Sequence, residues 1–289
     1  MTAESFQFEE AFSRSLGWLT KLELQQLRGK KVAIAGIGGV GGSHLLTLAR
    51  LGVGAFHIAD SDTFELGNFN RQAGAMMSTI GQNKAEVMTV MAKDINPELD
   101  IVSFGDIDEN NVDAFLKGVD LFLDGIDAFA LDAKRLVFRH CATRKIPAVT
   151  AGPFGTGTAY INFMPGKMTF DDYFAFDGLP SEERQINFFV GVAPKLMYRS
   201  YIADQSLINL KLKRGMTTPI ACQLSSVVAS AEAMKILLGR GKVYAAPYYQ
   251  QFDPYLNKFV RRRLIMGMRN PIMRLKKAIM KRVLRKIRG

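Results

Sequence analysis

The sequence predicts an α/β protein: a Rossmann-like, doubly wound and mostly parallel sheet, with a basic amphipathic helix at the C-terminal end. Three observations predict it. Short β-branched runs alternate with stretches of helical apolar spacing, a glycine-rich run joins the first strand to the helix after it, and basic charge gathers beyond residue 260. Strands separated by helices return the chain to the same edge of a sheet, so they run parallel. No internal repeat or low-complexity linker divides the chain. The expected organisation is a main domain over 1–264, with its nucleotide-binding part about 28–150, and an appended helix over 265–289.

The elements follow in order. Residues 5–29 read as an amphipathic helix ending near Arg28-Gly29, and Lys31–Ala35 as a buried strand. Helical spacing returns over 43–52, then Ala55–Ala59 is a second strand ending at Asp60, and a helix covers 82–95 before Pro97. Strand runs recur at Ile101–Phe104, Leu121–Leu123, Ala148–Thr150 and Ala159–Met164, while 165–218 carries no assignable period. Pro219–Gly239 reads as an apolar helix, and Tyr248–Phe252 with Lys258–Leu264 as a closing hairpin. Asn270-Pro271 supplies an N-cap and first-turn proline for a last helix to about Arg288.

Composition narrows the classes. The chain has 289 residues and is 48% hydrophobic, enough for a sizeable core. Its acidic N-terminus carries no apolar run of the secretory kind, and no stretch of eighteen uninterrupted apolar residues suggests a spanning helix. The only cysteines, Cys141 and Cys222, exclude a disulfide framework and a four-cysteine zinc site, and point to a reducing, cytoplasmic setting. Twelve of the 38 Lys and Arg residues lie in 261–289, which has no acid, so the rest balances 26 basic against 27 acidic residues. An electrostatic partner is therefore expected at the tail.

Gly36, Gly38 and Gly41, within the run Gly36-Ile37-Gly38-Gly39-Val40-Gly41-Gly42, meet the G-x-G-x-x-G pattern between a strand and a helix. Such glycines admit a phosphate to the backbone at a helix N-terminus, and an acid closing the next strand, here Asp60, accepts ribose hydroxyls. The pattern implies a nucleotide. It serves dinucleotide oxidoreductases and adenylating enzymes alike, and a non-catalytic nucleotide-binding scaffold also fits it.

Past Asp60 come Asp62, Asn68, Arg71 and Gln72, then Lys84 near the start of the next helix, and later Asp124-Gly125-Ile126-Asp127 closing a strand. Here the chain resembles the ThiF/MoeB family, bacterial relatives of ubiquitin-activating enzymes, whose hallmark is a D-x-D…N-x-x-R-Q segment, a lysine in the following helix and an aspartate-x-x-aspartate strand end. Phe12-Ser13-Arg14 resembles the family's N-terminal R-Y-x-R-Q, and Ala231–Gly239 its late helix. The resemblance covers about 12–160 and 219–262.

It implies an ATP- and Mg²⁺-dependent adenylyltransferase working as a homodimer. Its substrate would be a carboxylate, that of a peptide, a ubiquitin-like carrier protein or another acid, activated as the acyl-adenylate with release of pyrophosphate. Arg71, Lys84 and a partner's Arg14 would neutralise the triphosphate, Asp127 would hold Mg²⁺, and Asp60 the ribose. Asn68 would take a phosphate or metal-bound water, with Gly36, Gly38, Gly39, Gly41, Asp62 and Gln72 completing the nucleotide site. Read without the family, three cations and several carboxylates around a glycine loop suit Mg·ATP better than a dinucleotide, since hydride transfer has no use for phosphate-directed cations.

The departures are specific. The paired C-x-x-C of many relatives is missing, so no zinc is expected, and 165–218 lacks the cysteine of thioester-forming relatives. Cys141 and Cys222 read as buried and unreactive, His44 as a packed histidine, and Ala128 replaces the usual asparagine after Asp127. A second reading within the family is a tRNA threonylcarbamoyladenosine dehydratase-like enzyme, which shares Gly81-x-x-Lys84-Ala85-Glu86-Val87-Met88, Ile95-Asn96-Pro97-Glu98 and Lys145-Ile146-Pro147 before a Val-Thr strand, while the rest of the second half shows no evident resemblance to that branch. In the tail, Ile272, Leu275, Ile279, Met280, Val283, Leu284 and Ile287 share half of a helical wheel, with Lys276 and Lys286 intruding. That combination suits an anionic membrane surface reached from the cytoplasmic side, ahead of docking on the body or nucleic acid.

Overall fold

The computed structural model describes residues 5–204 and 215–278. Strand Lys31–Ala35 (β1) shows how the fold is built. Val32 and Ile34 point into one apolar cluster, Ala33 and Ala35 into another, and all four are buried. A strand with both faces covered must be apolar throughout. Its neighbours are Ala55–Ala59 (β2) and Leu121–Asp124 (β4), both parallel to it. Asp100–Phe104 (β3) pairs with β2, and Ala148–Phe154 (β5) with β4, again in parallel.

Three antiparallel strands complete the sheet: Gly157–Phe163 (β6), Tyr248–Asp253 (β7) and Lys258–Arg263 (β8). The order of the eight strands is β3-β2-β1-β4-β5-β6-β7-β8. This is the mostly parallel, doubly wound sheet that alternating strand and helix signals predict.

Four helices fill one face: Lys21–Arg28 (α2, after the single turn Phe8–Ala11, α1), Gly41–Arg50 (α3), Lys84–Ile95 (α4) and Pro219–Leu238 (α9). The last, twenty residues long and apolar, meets length and composition limits for a membrane span, but it packs on β5, β6 and α3 with Ala229 and Ala233 fully buried. Val112–Phe115 (α5), Leu131–Thr143 (α6), Phe170–Phe174 (α7) and Ser181–Val192 (α8) cover the other face. Phenylalanines dominate that layer, with Phe138 and Phe170 stacked at 4.1 Å between centroids. Helices α7 and α8 thus occupy the stretch without assignable period, of which 205–214 lie outside the described residues.

The N-terminal segment differs from the single helix expected. Gly17 adopts φ +100°, a left-handed conformation that glycine tolerates, and interrupts the helix. Thr20 then starts α2 afresh: its hydroxyl accepts from Glu23 N at 3.1 Å while the Glu23 carboxylate accepts from Thr20 N at 2.8 Å. This reciprocal cap satisfies two donors that a continuous helix would have placed mid-turn.

After β8 the chain stays on the body. Leu264, Met268 and Met273 are buried in the same cluster as α7 and α8. Residues 271–278 are helical (α10), with Asn270 Oδ1 accepting from Ile272 N at 3.0 Å as the N-cap expectation requires. The expected continuation over 279–289 lies outside the described residues.

Candidate functional site

The strand order reverses direction between β1 and β4, and ligands of open α/β sheets bind at such a switch point, beyond the C-terminal strand ends. The glycine loop leaves β1 here and the 124–127 turn leaves β4. Gly36 has φ +79°, and a Cβ there would lie 2.3 Å from the Gly125 carbonyl oxygen; one on Gly41 would lie 1.8 Å from that of Gly36. Only glycine fits at either position. The two turns are therefore locked together as one base, with the first turn of α3 opening from it.

Asp60 closes β2 beside this base. Its Oδ2 accepts from Ile37 N at 2.7 Å, and its Oδ1 from Asp62 N at 2.9 Å. Burial pushes its carboxyl above the ordinary range, opposed by those two amides and the Lys84 charge. Asp60 thus holds the glycine loop itself, and each oxygen keeps a further lone pair for a ligand hydroxyl. Asp62 Oδ2 accepts from Lys84 Nζ at 2.7 Å; the lysine side chain is 8% exposed and the aspartate's 70%. Asn83 Oδ1 caps α4 at Glu86 N, which fixes Lys84 in the first helical position. The lysine is thus buried along its stem and presents its ammonium to an exposed carboxylate rather than spreading on the surface.

The crossing loop supplies the remaining polar groups. Asn68 Oδ1 accepts from Glu65 N and its carbonyl from Arg71 N and Gln72 N, so it shapes the turn that presents both. The Arg71 guanidinium donates to Gly67 O at 2.8 Å and Asn70 Oδ1 at 2.9 Å, and its stem lies against Gly39. Gln72, 8% exposed, lies against Gly38, and its Oε1 is buried with no partner among the described residues. Asn70 Nδ2 donates to Thr217 O, tying the loop to the entrance of α9.

Asp127 is exposed, with Oδ1 accepting from Phe129 N at 2.7 Å. What positions it is a group that sequence reasoning missed. Lys134, one turn into α6, donates to Asp124 Oδ1 at 2.8 Å, to Asp124 Oδ2 at 2.7 Å and to Ile126 O. Thr150 from β5 and Ile126 N complete the Asp124 carboxylate, and the Lys134 and Asp124 side chains are 4% and 1% exposed. Helix α8 walls the turn from outside through Gln185 Nε2 to Ala128 O at 2.6 Å and the Phe129–Phe189 ring contact. The only sequence signal was Asp124 itself; the lysine lies on the next helix, so no periodicity within one element links the two.

Arg14 lies elsewhere. Phe8 of its segment packs on Gly52, beyond the C-terminal end of α3, whereas the glycine loop is at the N-terminal end of that helix. Arg14 is exposed and makes no ion pair among the described residues. The structure thus gathers Gly36, Gly38, Gly39, Gly41, Asp60, Asp62, Asn68, Arg71, Gln72 and Lys84 around the glycine loop, with Asp127 on the adjoining turn after β4, and leaves Arg14 outside this group.

Both cysteines are buried, and burial pushes the thiol of Cys141 well above its ordinary range and that of Cys222 up to about 11. Neither is a poised nucleophile. Cys222 nevertheless packs against Gly39 and Arg71, a contact its place at a helix start did not announce. His44 is 1% exposed, and burial lowers its pKa to about 3, as befits a packed neutral histidine.

The chain is 40% identical over 92 residues to a tRNA threonylcarbamoyladenosine dehydratase of Bacillus subtilis, covering 32% of this chain and 36% of that protein. To the enzyme of that name from Haemophilus influenzae it is 28% identical over 242 residues, 80% of this chain and 90% of that one. That longer alignment reaches into the second half, where no shared run beyond Lys145-Ile146-Pro147 is evident by eye. The fold is similar to that of Escherichia coli MccB solved with ATP, at a TM-score of 0.62 and 19% identity over 85% of this chain and 66% of that one. MccB is also solved in complex with N-formylated MccA. The sequence profile of the ThiF family matches residues 12–272, and the chain belongs to the ThiF family.

Proposed function

We propose that the protein is an ATP-dependent adenylyltransferase that activates a carboxylate as its acyl-adenylate. The observation that supports this reading is that Arg71 lies against the glycine loop, Asp60 binds that loop and Asp62, and Asp62 pairs with Lys84, with Asp127 on the turn packed beneath the loop. A carboxylate is already ionised at neutral pH, so no general base is required. One carboxylate oxygen bonds to the α-phosphorus of ATP, the bond from that phosphorus to the bridging oxygen breaks, and pyrophosphate leaves with the electron pair. The chain's task is to cancel charge and hold the groups in line.

The residues present fit Mg·ATP. The glycine loop would admit phosphates to the backbone, Lys84 and Arg71 would neutralise them, and Asp60 would offer lone pairs to ribose. Gln72 Oε1, buried without a partner among the described residues, would take a ligand hydroxyl or water. Asp127 has an open carboxylate of the kind that holds Mg²⁺ together with waters. When bound, the ion would supply charge neutralisation at the phosphates.

The composite site is the reason to propose a homodimer. Arg14 is exposed and makes no ion pair among the described residues, and Leu66, Met77 and Ile220 expose apolar surface on and beside the crossing loop. The acceptor is proposed to be a peptide or carrier-protein C-terminus, by analogy with the MccB complex. Two buried cysteines agree with a cytoplasmic setting. The dehydratase-named relatives favour a second reading, an acid borne on tRNA.

The test is Mg²⁺-dependent exchange of labelled pyrophosphate into ATP, run with candidate peptides and separately with tRNA. Acid-dependent exchange is expected, and its stimulation by one class chooses the acceptor. Stabilisation by NAD⁺ and not by Mg·ATP in a thermal shift would refute the reading.

A further inference from the structure

We infer that the surface formed by residues 261–278 is a membrane-contact surface that takes an anionic lipid bilayer. The structure shows an inversion of ordinary helix docking. Helix α10 is fastened to the body by Met273, 2% exposed, by Lys276 Nζ donating to Pro194 O, and by Lys277 Nζ against Glu183 at 2.8 Å. Its aliphatic residues Ile272 and Leu275 are instead turned outward, 65% and 64% exposed. A helix whose partner was only its own body would bury these two and leave the lysines in water. Just before it, Ile265 and Met266 are also outward, 59% and 57% exposed, while Leu264 and Met268 on either side are buried anchors. The anchors fix the segment; the apolar residues between them face away from the chain.

Charge selects the occupant. Arg261, Arg262 and Arg263 lie exposed on edge strand β8, Arg269 and Arg274 are exposed further on, and no acid occurs from 261 to the end. The sequence beyond 278 continues the mixture, with Ile279, Met280, Val283, Leu284 and Ile287 among Lys281, Arg282, Arg285, Lys286 and Arg288. A second copy seated on this surface would bring the like charges of Arg261, Arg262, Arg263 and Arg274 against their own counterparts. Nucleic acid would match the cations but leave four exposed aliphatic side chains without a partner, and the segment offers no aromatic stacking platform. A bilayer with anionic headgroups matches both: cations at the headgroup level, apolar side chains at the acyl boundary.

The experiment is co-sedimentation of the full chain with phosphatidylcholine vesicles, with and without added phosphatidylglycerol. Binding is expected with the anionic vesicles only and should weaken as salt rises. The double variant Ile272→Glu, Leu275→Glu changes two outward side chains, so its melting temperature should match the wild type while anionic-vesicle binding falls at least about tenfold. Wild-type binding by the variant would reduce the tail to a diffuse cation and overturn the inference. So would no pelleting of the full chain at low salt. If the variant turns a dimer into a monomer while vesicle binding persists, the surface seats a second copy and the inference also fails.

Discussion

Substituting Lys134 by methionine removes one ammonium group from beneath the candidate site and keeps most of the stem. The cation lies 2.7–2.8 Å from both oxygens of Asp124, in a pair whose side chains are 4% and 1% exposed. The Asp124 carboxylate would keep Ile126 N and Thr150 Oγ1 as donors but lose its counter-charge. Removing one member of a buried ion pair costs about 3–5 kcal/mol, because the other charge stays desolvated. Unfolding entropy scales at about 2.1 cal/mol/K per residue, so a chain of this length should melt about 5–8 °C lower. The double change Lys134→Met, Asp124→Asn removes the stranded charge and should recover more than half of that loss. It should not recover pyrophosphate exchange, because the Ile126 carbonyl is still released and the turn carrying Asp127 is no longer pinned to α6. Thermal melts of the three variants, with exchange measured well below the lowest midpoint, separate the two effects. A single variant melting within a degree of wild type, or a double no more stable than the single, would refute this account of the pair.

Three further outcomes follow from the same geometry. Arg71→Ala should fold normally and lose about 3–4 kcal/mol of transition-state stabilisation, a few hundred-fold in exchange rate; activity near wild type with a competent acceptor rules out the role. Arg14→Ala and Asp127→Ala chains, each inactive alone, should regain activity when mixed through one intact composite site. Heterodimers that form and stay inactive would refute the shared site. His44 titrates at an ordinary value near 6.5 when unfolded and at about 3 when folded, so the unfolded chain binds more protons between those values. Its contribution to stability is full well above pH 6.5 and is lost as pH falls toward 3, at about 0.7 kcal/mol per unit near 6.5 and approaching about 1.4 a unit or more below it. His44→Leu should flatten stability between pH 6.5 and 5 in denaturant titrations, and an unchanged slope would show that His44 does not carry it.

The alternation of apolar runs and glycine punctuation determined, from sequence alone, the parallel sheet, the place of the glycine loop and Asp60 beside it, while Arg71 and Lys84 entered through the motif that resembles the ThiF/MoeB family. Those features are local: a strand buried on both faces must be apolar at each successive residue, and a backbone crowded at 2.3 Å must be glycine there. What the tertiary structure decided depends on residues that meet across the chain. The pairing of Lys134 with Asp124 joins a helix to a strand end, and Thr150 reaches the same carboxylate from another strand. The wall formed by α8 comes from a stretch whose buried phenylalanines follow no single period, because they face an irregular layer rather than a flat sheet. In the N-terminal segment, apolar spacing continued across Gly17 and Thr20, and cap chemistry overrode it. In the tail, the helical wheel showed an apolar half but not which side meets the body. Met273, Lys276 and Lys277 decided that, because anchoring depends on the shape and partners of the surface beneath, and periodicity contains neither.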